Sequence, residues 1–423
     1  MRKRKIAITV QRYGKNVNGG AEVFARMIAE KLIETYDVTI LTSRALDYHT
    51  WKPELPEGTT IENGVTIKRF NHKPKASEKK IHHLKRSYRG RHLYQKFYRF
   101  LGRPKWYLKL FPTAEYHDKY GIQWLEHQGP TTYGLVQYIK ENENTYDAFI
   151  FITYLYYPTA AGLLTVPHKS IFIPTMHDEQ PAYFPIFQKT MAAPKSLLFL
   201  TASEQKFSQG LFKIDHIKQA VASVGVDPVS DVKDNTVIEK FGINGKYIVY
   251  VGRIDTAKGC GEMLSYFTDY LKDTGNAVTL VLAGKNMMDA VNHPNIKYVG
   301  FVSDEEKEQL IKHAEALIIP SKHESLSLVV LESFACKVPV MANQLCDVLK
   351  DHIELSNGGW LFEDKNSFYK ALNDVMANVD NTQKGLNGYN YVMNNFTWDH
   401  VLNTYNELID YVINANKMEL TNE

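Results

Sequence analysis

The stretch Leu317–Asn343, LIIPSKHESLSLVVLESFACKVPVMAN, carries two glutamates, Glu324 and Glu332, in an otherwise apolar setting. From Ser325 to Cys336, Glu332 is the only charged residue, and an ionised carboxylate is seldom buried without a partner. The pattern reads as strand, turn, helix, strand. Ala316–Pro320 is a short apolar run, Ser325 and Ser327 are candidate helix N-caps, and Val338–Ala342 resumes a strand around Pro339. Glu324 is therefore expected on a loop at the C-terminal end of a strand, just before a helix N-terminus whose free N–H groups suit a phosphate or another anion. Ligands of open α/β sheets bind at such places. Two readings of Glu332 stand at this point: a structural acid neutralised by a distant Lys or Arg, or an acid that meets a ligand.

Upstream, a strand over Tyr247–Val251 runs into Gly252-Arg253-Ile254-Asp255-Thr256-Ala257-Lys258-Gly259. Two cations on a glycine-bounded loop that leads into a helix suit a pyrophosphate, with charge from Arg253 and Lys258 and amides from the helix start. The alternation continues with a helix over Cys260–Lys272, strands at Val278–Ala283 and Lys297–Val299, and a helix over Asp304–Ala314. The first half has the same rhythm. A strand over Ile6–Val10 precedes Gly19-Gly20, where the backbone can approach a ligand closely, and a helix to about Glu34 leads to a strand at Val38–Thr42. Further strands are expected at Val65–Phe70, Ala148–Thr153, Ser170–Pro174, Leu198–Ala202 and Ala220–Val224. Repeated strand–helix alternation implies two α/β halves built on parallel sheets, with Val229–Thr236 as the linker and the cleft between the halves as the ligand site.

Composition sets bounds. The 423 residues suffice for two domains, and 44% hydrophobic with 23% charged content is that of a globular protein. Three scattered cysteines do not make a disulfide or zinc framework, and the basic start followed by a short apolar strand does not read as a signal peptide, so a cytoplasmic setting is expected. Ala148–Val166 has 19 residues without a charge, but its β-branched and aromatic beginning and Pro158 favour a buried strand followed by a helix over a membrane span. From Lys68 to Lys109 there are 15 Lys or Arg and one acid, a local balance of +14 against +3 for the whole chain. Interleaved with aromatics, this run suits an anionic membrane surface, a phosphorylated lipid carrier, an acidic glycan or nucleic acid, with a solvated helical surface as the plain alternative. No nucleic-acid motif accompanies it.

Taken together, the Gly19-Gly20 turn, Pro174-Thr175-Met176-His177-Asp178, Val224-Gly225-Val226-Asp227, the Gly252–Gly259 loop, the Glu324–Glu332 spacing and the closing helix resemble the GT-B retaining glycosyltransferases of the family 4 type, over nearly the whole chain. The resemblance implies two Rossmann-like domains facing across a cleft. Residues 1–228 would be acceptor-binding, 229–395 would bind the nucleotide sugar, and 396–423 would form a C-terminal helix returning to the N-terminal domain. It also implies a nucleotide-sugar donor, a glycan or polyprenyl-linked glycan acceptor, no metal and no separate cofactor. By position, Arg253 and Lys258 would neutralise the donor diphosphate, Glu332 would accept from the ribose hydroxyls, and Glu324 would contact the transferred sugar. Ser325, Leu326 and Ser327 would present amides beside it, His177 would lie against the sugar, and Gly20 would let its loop approach the diphosphate. The other reading is a catalytically silent subunit of the same fold that binds a membrane, a glycan or a partner enzyme. Two departures stand out. The family usually has glycines where this chain has Ser325 and Ser327, and another where it has Lys337 near a helix end.

Overall fold

The computed structural model describes residues 3–17, 19–48, 50–75, 115–184, 186–230, 232 and 234–421; residues 76–109 of the basic run lie outside these. The chain divides into two compact units, Met1–Val224 with Val401–Glu423, and Gly225–His400.

Unit 1 is built on β1 (Lys5–Thr9), β2 (Asp37–Ser43), β3 (Gly58–Glu62), β4 (Val65–Phe70), β5 (Ala148–Ile152), β6 (Ser170–Ile173), β7 (Ser196–Phe199) and β8 (Lys218–Val221). Their order across the sheet is β3-β4-β2-β1-β5-β6-β7-β8. All neighbours pair in parallel except β3, which hairpins antiparallel onto β4. The central strands are buried end to end, as expected for a parallel sheet with both faces covered, and β5 is wholly buried. The uncharged run that begins after Asp147 thus resolves into β5 followed by a helix over Tyr157–Leu163 with proline in its first turn. No helix among the described residues is long and apolar enough to cross a membrane.

Unit 2 carries β9 (Tyr247–Val251), β10 (Thr279–Ala283), β11 (Ile296–Gly300), β12 (Ala316–Ile319), β13 (Val340–Asn343) and β14 (Gly359–Phe362), ordered β11-β10-β9-β12-β13-β14 and parallel throughout. Counted within the unit, this is 3-2-1-4-5-6, the doubly wound order of dinucleotide-binding domains. The order reverses between β9 and β12, so the loops that follow those two strands flank the switch point. These are the loops of Arg253 and of Glu324.

The closing helix, Trp398–Thr421, sends Val401, Tyr405, Leu408, Ile409, Val412 and Ile413 into the interior, and its residues from Val401 onward belong to unit 1. Asn406 accepts a hydrogen bond from the Tyr36 hydroxyl at 2.9 Å, and Asp410 pairs with Arg4. Within unit 2, Val226 N–H donates to the Phe396 carbonyl at 2.7 Å, and Gly225 packs so closely on Trp398 that a Cβ there would fall 2.4 Å from its ring.

Two local expectations are corrected. The strand drawn over Leu198–Ala202 stops at Phe199, because the Thr201 hydroxyl accepts from Glu204 N–H at 3.1 Å and starts the helix Ala202–Leu211. Residues Ser325 and Ser327 do not cap by side chain. Ser327 occupies the N-cap position of the helix Leu328–Ala335, but in a left-handed conformation (φ 62°) and without a capping bond.

Candidate functional site

The site in unit 2 is assembled at the ends of β9 and β12. Gly252 (φ 149°) lets the chain leave β9 against Gly284 (φ 140°), where a Cβ would sit 1.9 Å from the Gly252 carbonyl oxygen. The Tyr250 hydroxyl then donates to the Arg253 carbonyl at 2.7 Å, and the Arg253 guanidinium pairs with Asp255. Asp255 is also the cap of the short turn Thr256–Lys258, accepting from Lys258 N–H at 2.8 Å. Gly259, left-handed at φ 76°, closes the loop; a Cβ there would fall 2.4 Å from the Pro320 carbonyl oxygen, at the end of β12. The two strand ends are thereby in backbone contact. Across them Lys258 Nζ donates to Glu324 Oε1 at 2.7 Å, both side chains keeping partial access to solvent.

The chain after Glu324 is held from beneath. Buried His352 donates from Nε2 to the Leu326 carbonyl at 2.9 Å while its Nδ1 meets the Tyr391 hydroxyl at 3.1 Å. A carbonyl can only accept, which fixes the tautomer, and burial lowers the pKa of His352, keeping the ring neutral. The Pro320 carbonyl accepts from Asn343 Nδ2 at 2.9 Å. These bonds flank the start of the Leu328–Ala335 helix, where Val330 N–H donates to the Ser327 carbonyl at 3.0 Å.

Glu332 lies one turn into that helix. Its partner is Lys307, from the helix Asp304–Lys312, at 2.8 Å; Lys307 also donates to Asp304 at 3.0 Å. Burial pushes the Glu332 carboxyl up and the Lys307 ammonium pulls it back only in part, although a third of the side chain still reaches solvent. For Lys307, burial works to lower the pKa, and attraction from Glu332 and Asp304 more than reverses it. Of the two sequence readings of Glu332, the neutralising lysine is present, and its bond goes to Oε1 of the carboxylate.

In unit 1 the predicted residues stand at the ends of β1 and β6. The Gly19-Gly20 turn follows β1 and opens the helix Gly20–Leu32. Beneath it Arg12 and Glu22 form a buried ion pair at 2.6 Å, Gln11 Nε2 adds a bond to the same carboxylate at 3.0 Å, and a Cβ on Gly19 would collide with Glu22. After β6, His177 Nε2 lies 3.7 Å from Glu179, which accepts from the Tyr154 hydroxyl at 2.6 Å, and Asp178 accepts from Tyr183 at 2.6 Å. Burial raises the pKa of the Tyr156 hydroxyl, and the charges of Glu22, Arg12 and Glu179 act on it as well.

The structure thus brings Arg253, Lys258 and Glu324 together in one unit, sets Glu332 on the adjoining helix, and holds Gly20 and His177 in the other. Sequence reasoning missed Lys307, Asp255, His352, Glu204 and the Arg12–Glu22 pair. Asp255 could have been read as the cap of its own turn, and Thr201-x-x-Glu204 has capping-box spacing.

Residues 233–390 match the family model described as Glycosyl transferases group 1. Over that segment the chain is similar to the group 1 glycosyltransferases. An uncharacterized glycosyltransferase of Methanocaldococcus jannaschii is 24% identical over 176 residues, covering 37% of this chain and 42% of the relative, so the chain spans less than half the length of that curated relative. Among solved structures, sucrose-phosphate synthase from Thermosynechococcus elongatus superposes with a TM-score of 0.68 at 13% identity, over 98% of this chain and all of that one. Anabaena HepE in complex with UDP and glucose gives 0.61 at 15% identity, over 96% and 99%. The fold is that of the GT-B glycosyltransferases.

Proposed function

We propose that this protein is a retaining glycosyltransferase of the family 4 type. It moves a hexose from a nucleotide-diphosphate sugar, UDP-sugar first among the candidates, to a glycan or polyprenyl-linked glycan. The observation that carries the reading is the 2.7 Å Lys258–Glu324 contact across the switch point of unit 2, beside Arg253 and a helix N-terminus. In this reading Arg253 and Lys258 face the leaving diphosphate, where negative charge develops as the glycosidic bond breaks. Glu324 then holds the hydroxyls of the sugar, amides of Ser325, Leu326 and Ser327 bond the sugar or phosphate, and Glu332 accepts from the ribose. His177 and Gly20 are assigned to the transferred sugar and the diphosphate. Retention follows from a front-face displacement in which the departing phosphate takes the acceptor proton, and metal independence from the two cations acting in place of a metal ion.

The Glu332 role has its own test. Wild-type protein is expected to bind UDP about tenfold more tightly than 2′-deoxy-UDP, a difference of about 1.4 kcal/mol, and Glu332→Gln to shrink that preference. Equal affinity of the wild type for the two nucleotides would remove Glu332 from the ribose.

For the basic run we propose peripheral binding to anionic membrane or to a phosphorylated polyprenyl acceptor. Its described beginning tempers the charge on offer, since Arg69 is buried against Glu62 at 2.8 Å and Lys68 lies over the Tyr138 ring. Cosedimentation with anionic vesicles should exceed that with neutral ones and fall at high salt; equal recovery with both would end the electrostatic version.

A further inference from the structure

We propose that Glu204 is a positioning residue for the loop that carries His177, its buried carboxylate bridging the ends of β6 and β7. The backbone there is unusual. Thr175 (φ 52°) and, on the neighbouring strand end, Thr153 (φ 70°) both adopt the left-handed region without being glycine. Such residues persist only where the surroundings over-determine them.

Four bonds do so. Thr153 N–H donates to the Ile173 carbonyl at 2.9 Å, Tyr154 N–H to the Pro174 carbonyl at 3.0 Å, and the Thr175 hydroxyl to that of Thr153 at 3.3 Å. The fourth comes from outside these two strands: Met176 N–H donates to Glu204 Oε1 at 2.6 Å. Oε2 of the same carboxylate accepts from Leu200 N–H at 2.7 Å, just past β7. A glutamate three residues after a threonine N-cap ordinarily turns back to the cap's own N–H. Here it reaches instead to the residue before the cap and across to the residue before His177.

Glu204 is 2% exposed. Burial raises its pKa and the two amides lower it, leaving it at about 8. Charged groups do not enter that balance. On the facing loop the titratable groups are His177, Asp178 and Glu179, strand β7 has none, and Lys206 on Glu204's own helix is exposed. Uptake of a proton near pH 8 turns one of the two acceptor oxygens into a hydroxyl, so the hold on Met176 and Leu200 weakens and the His177 loop is released from its fixed geometry.

The consequence for sugar transfer rests on the assignment of His177 above, whereas the positioning itself can be read without any transfer. The experiment follows the imidazole Cε1–H resonance of His177 in the full chain between pH 5 and 9, assigned with His177→Gln. The wild type is expected to show an inflection near pH 8 that Glu204→Gln abolishes. Glu204→Asp, too short to bridge both amides, is expected to shift the resonance at every pH. If Glu204→Gln fails to fold by circular dichroism, Glu204→Asp decides. A His177 profile that is the same in the wild type and in a folded Glu204 variant overturns the proposal. With an active donor and acceptor pair, Glu204→Gln should lower kcat about tenfold above pH 8, where the wild-type carboxylate is ionised, at unchanged donor KM. A wild type that transfers no sugar would count against the proposed function and leave the resonance test intact.

Discussion

Glu204 and Glu332 are both acids set among protein atoms, and they are stabilised differently. Glu332 has a lysine at 2.8 Å; Glu204 has two amides and no cation in its balance. The consequence for Glu204 is a pH-dependent stability whose sign can be worked out. Its folded pKa of about 8 lies above the ordinary carboxyl value of 4.5, so below pH 4.5 both folded and unfolded states hold the proton. Between about 4.5 and 8 the unfolded chain releases it while the folded chain keeps it, and stability falls with rising pH by about 1.4 kcal/mol per unit. Urea unfolding at pH 5, 6, 7 and 8 should show this slope in the wild type and lose it in Glu204→Gln; parallel slopes would contradict it. At this scale the sequence was legible where chemistry is contiguous. Arg253 and Lys258 share one loop and Glu324 follows a strand, so their grouping could be read from spacing. Lys307 lies 25 residues before its partner on another helix, and nothing in a linear reading selects it from the other lysines.

The elements of the site meet through backbone that only certain residues tolerate. Gly259 is left-handed and touches the Pro320 carbonyl, so Gly259→Ala brings both conformational strain and a 2.4 Å collision. A loss of at least about 2 kcal/mol in unfolding free energy is expected, with weaker nucleotide binding because the Lys258–Glu324 alignment depends on that contact. A Gly259→Ala protein as stable as wild type would show that the loop can move away freely. Ser327 (φ 62°) and Lys337 (φ 60°) stand in the same left-handed region, at two positions where the chain departs from the glycines usual in the family. Most strands were legible from apolar runs because parallel strands buried on both faces carry little else. Strand β3 was not, since Gly58–Glu62 is an exposed edge with no apolar pattern, held by pairing with β4.

For the whole molecule, two α/β units followed from strand–helix alternation, and the 3-2-1-4-5-6 order of unit 2 puts the ends of β9 and β12 side by side, which alternation alone does not specify. The closing helix was legible from its apolar spacing, and its place in unit 1 follows from its hydrogen bond to Tyr36 and ion pair with Arg4. The choice of acceptor was not legible, because the basic run that bears on it is a composition and not a geometry. The central claim is that unit 2 binds a nucleotide-diphosphate sugar through Arg253 and Lys258. Titration calorimetry of the full chain with UDP, GDP and ADP sugars tests it most directly. One of these donors should bind with micromolar affinity, and Arg253→Ala and Lys258→Ala should each weaken it at least about tenfold, or 1.4 kcal/mol. Absence of binding by the wild type to every nucleotide-diphosphate sugar, or undiminished binding by both variants, would show the claim to be wrong.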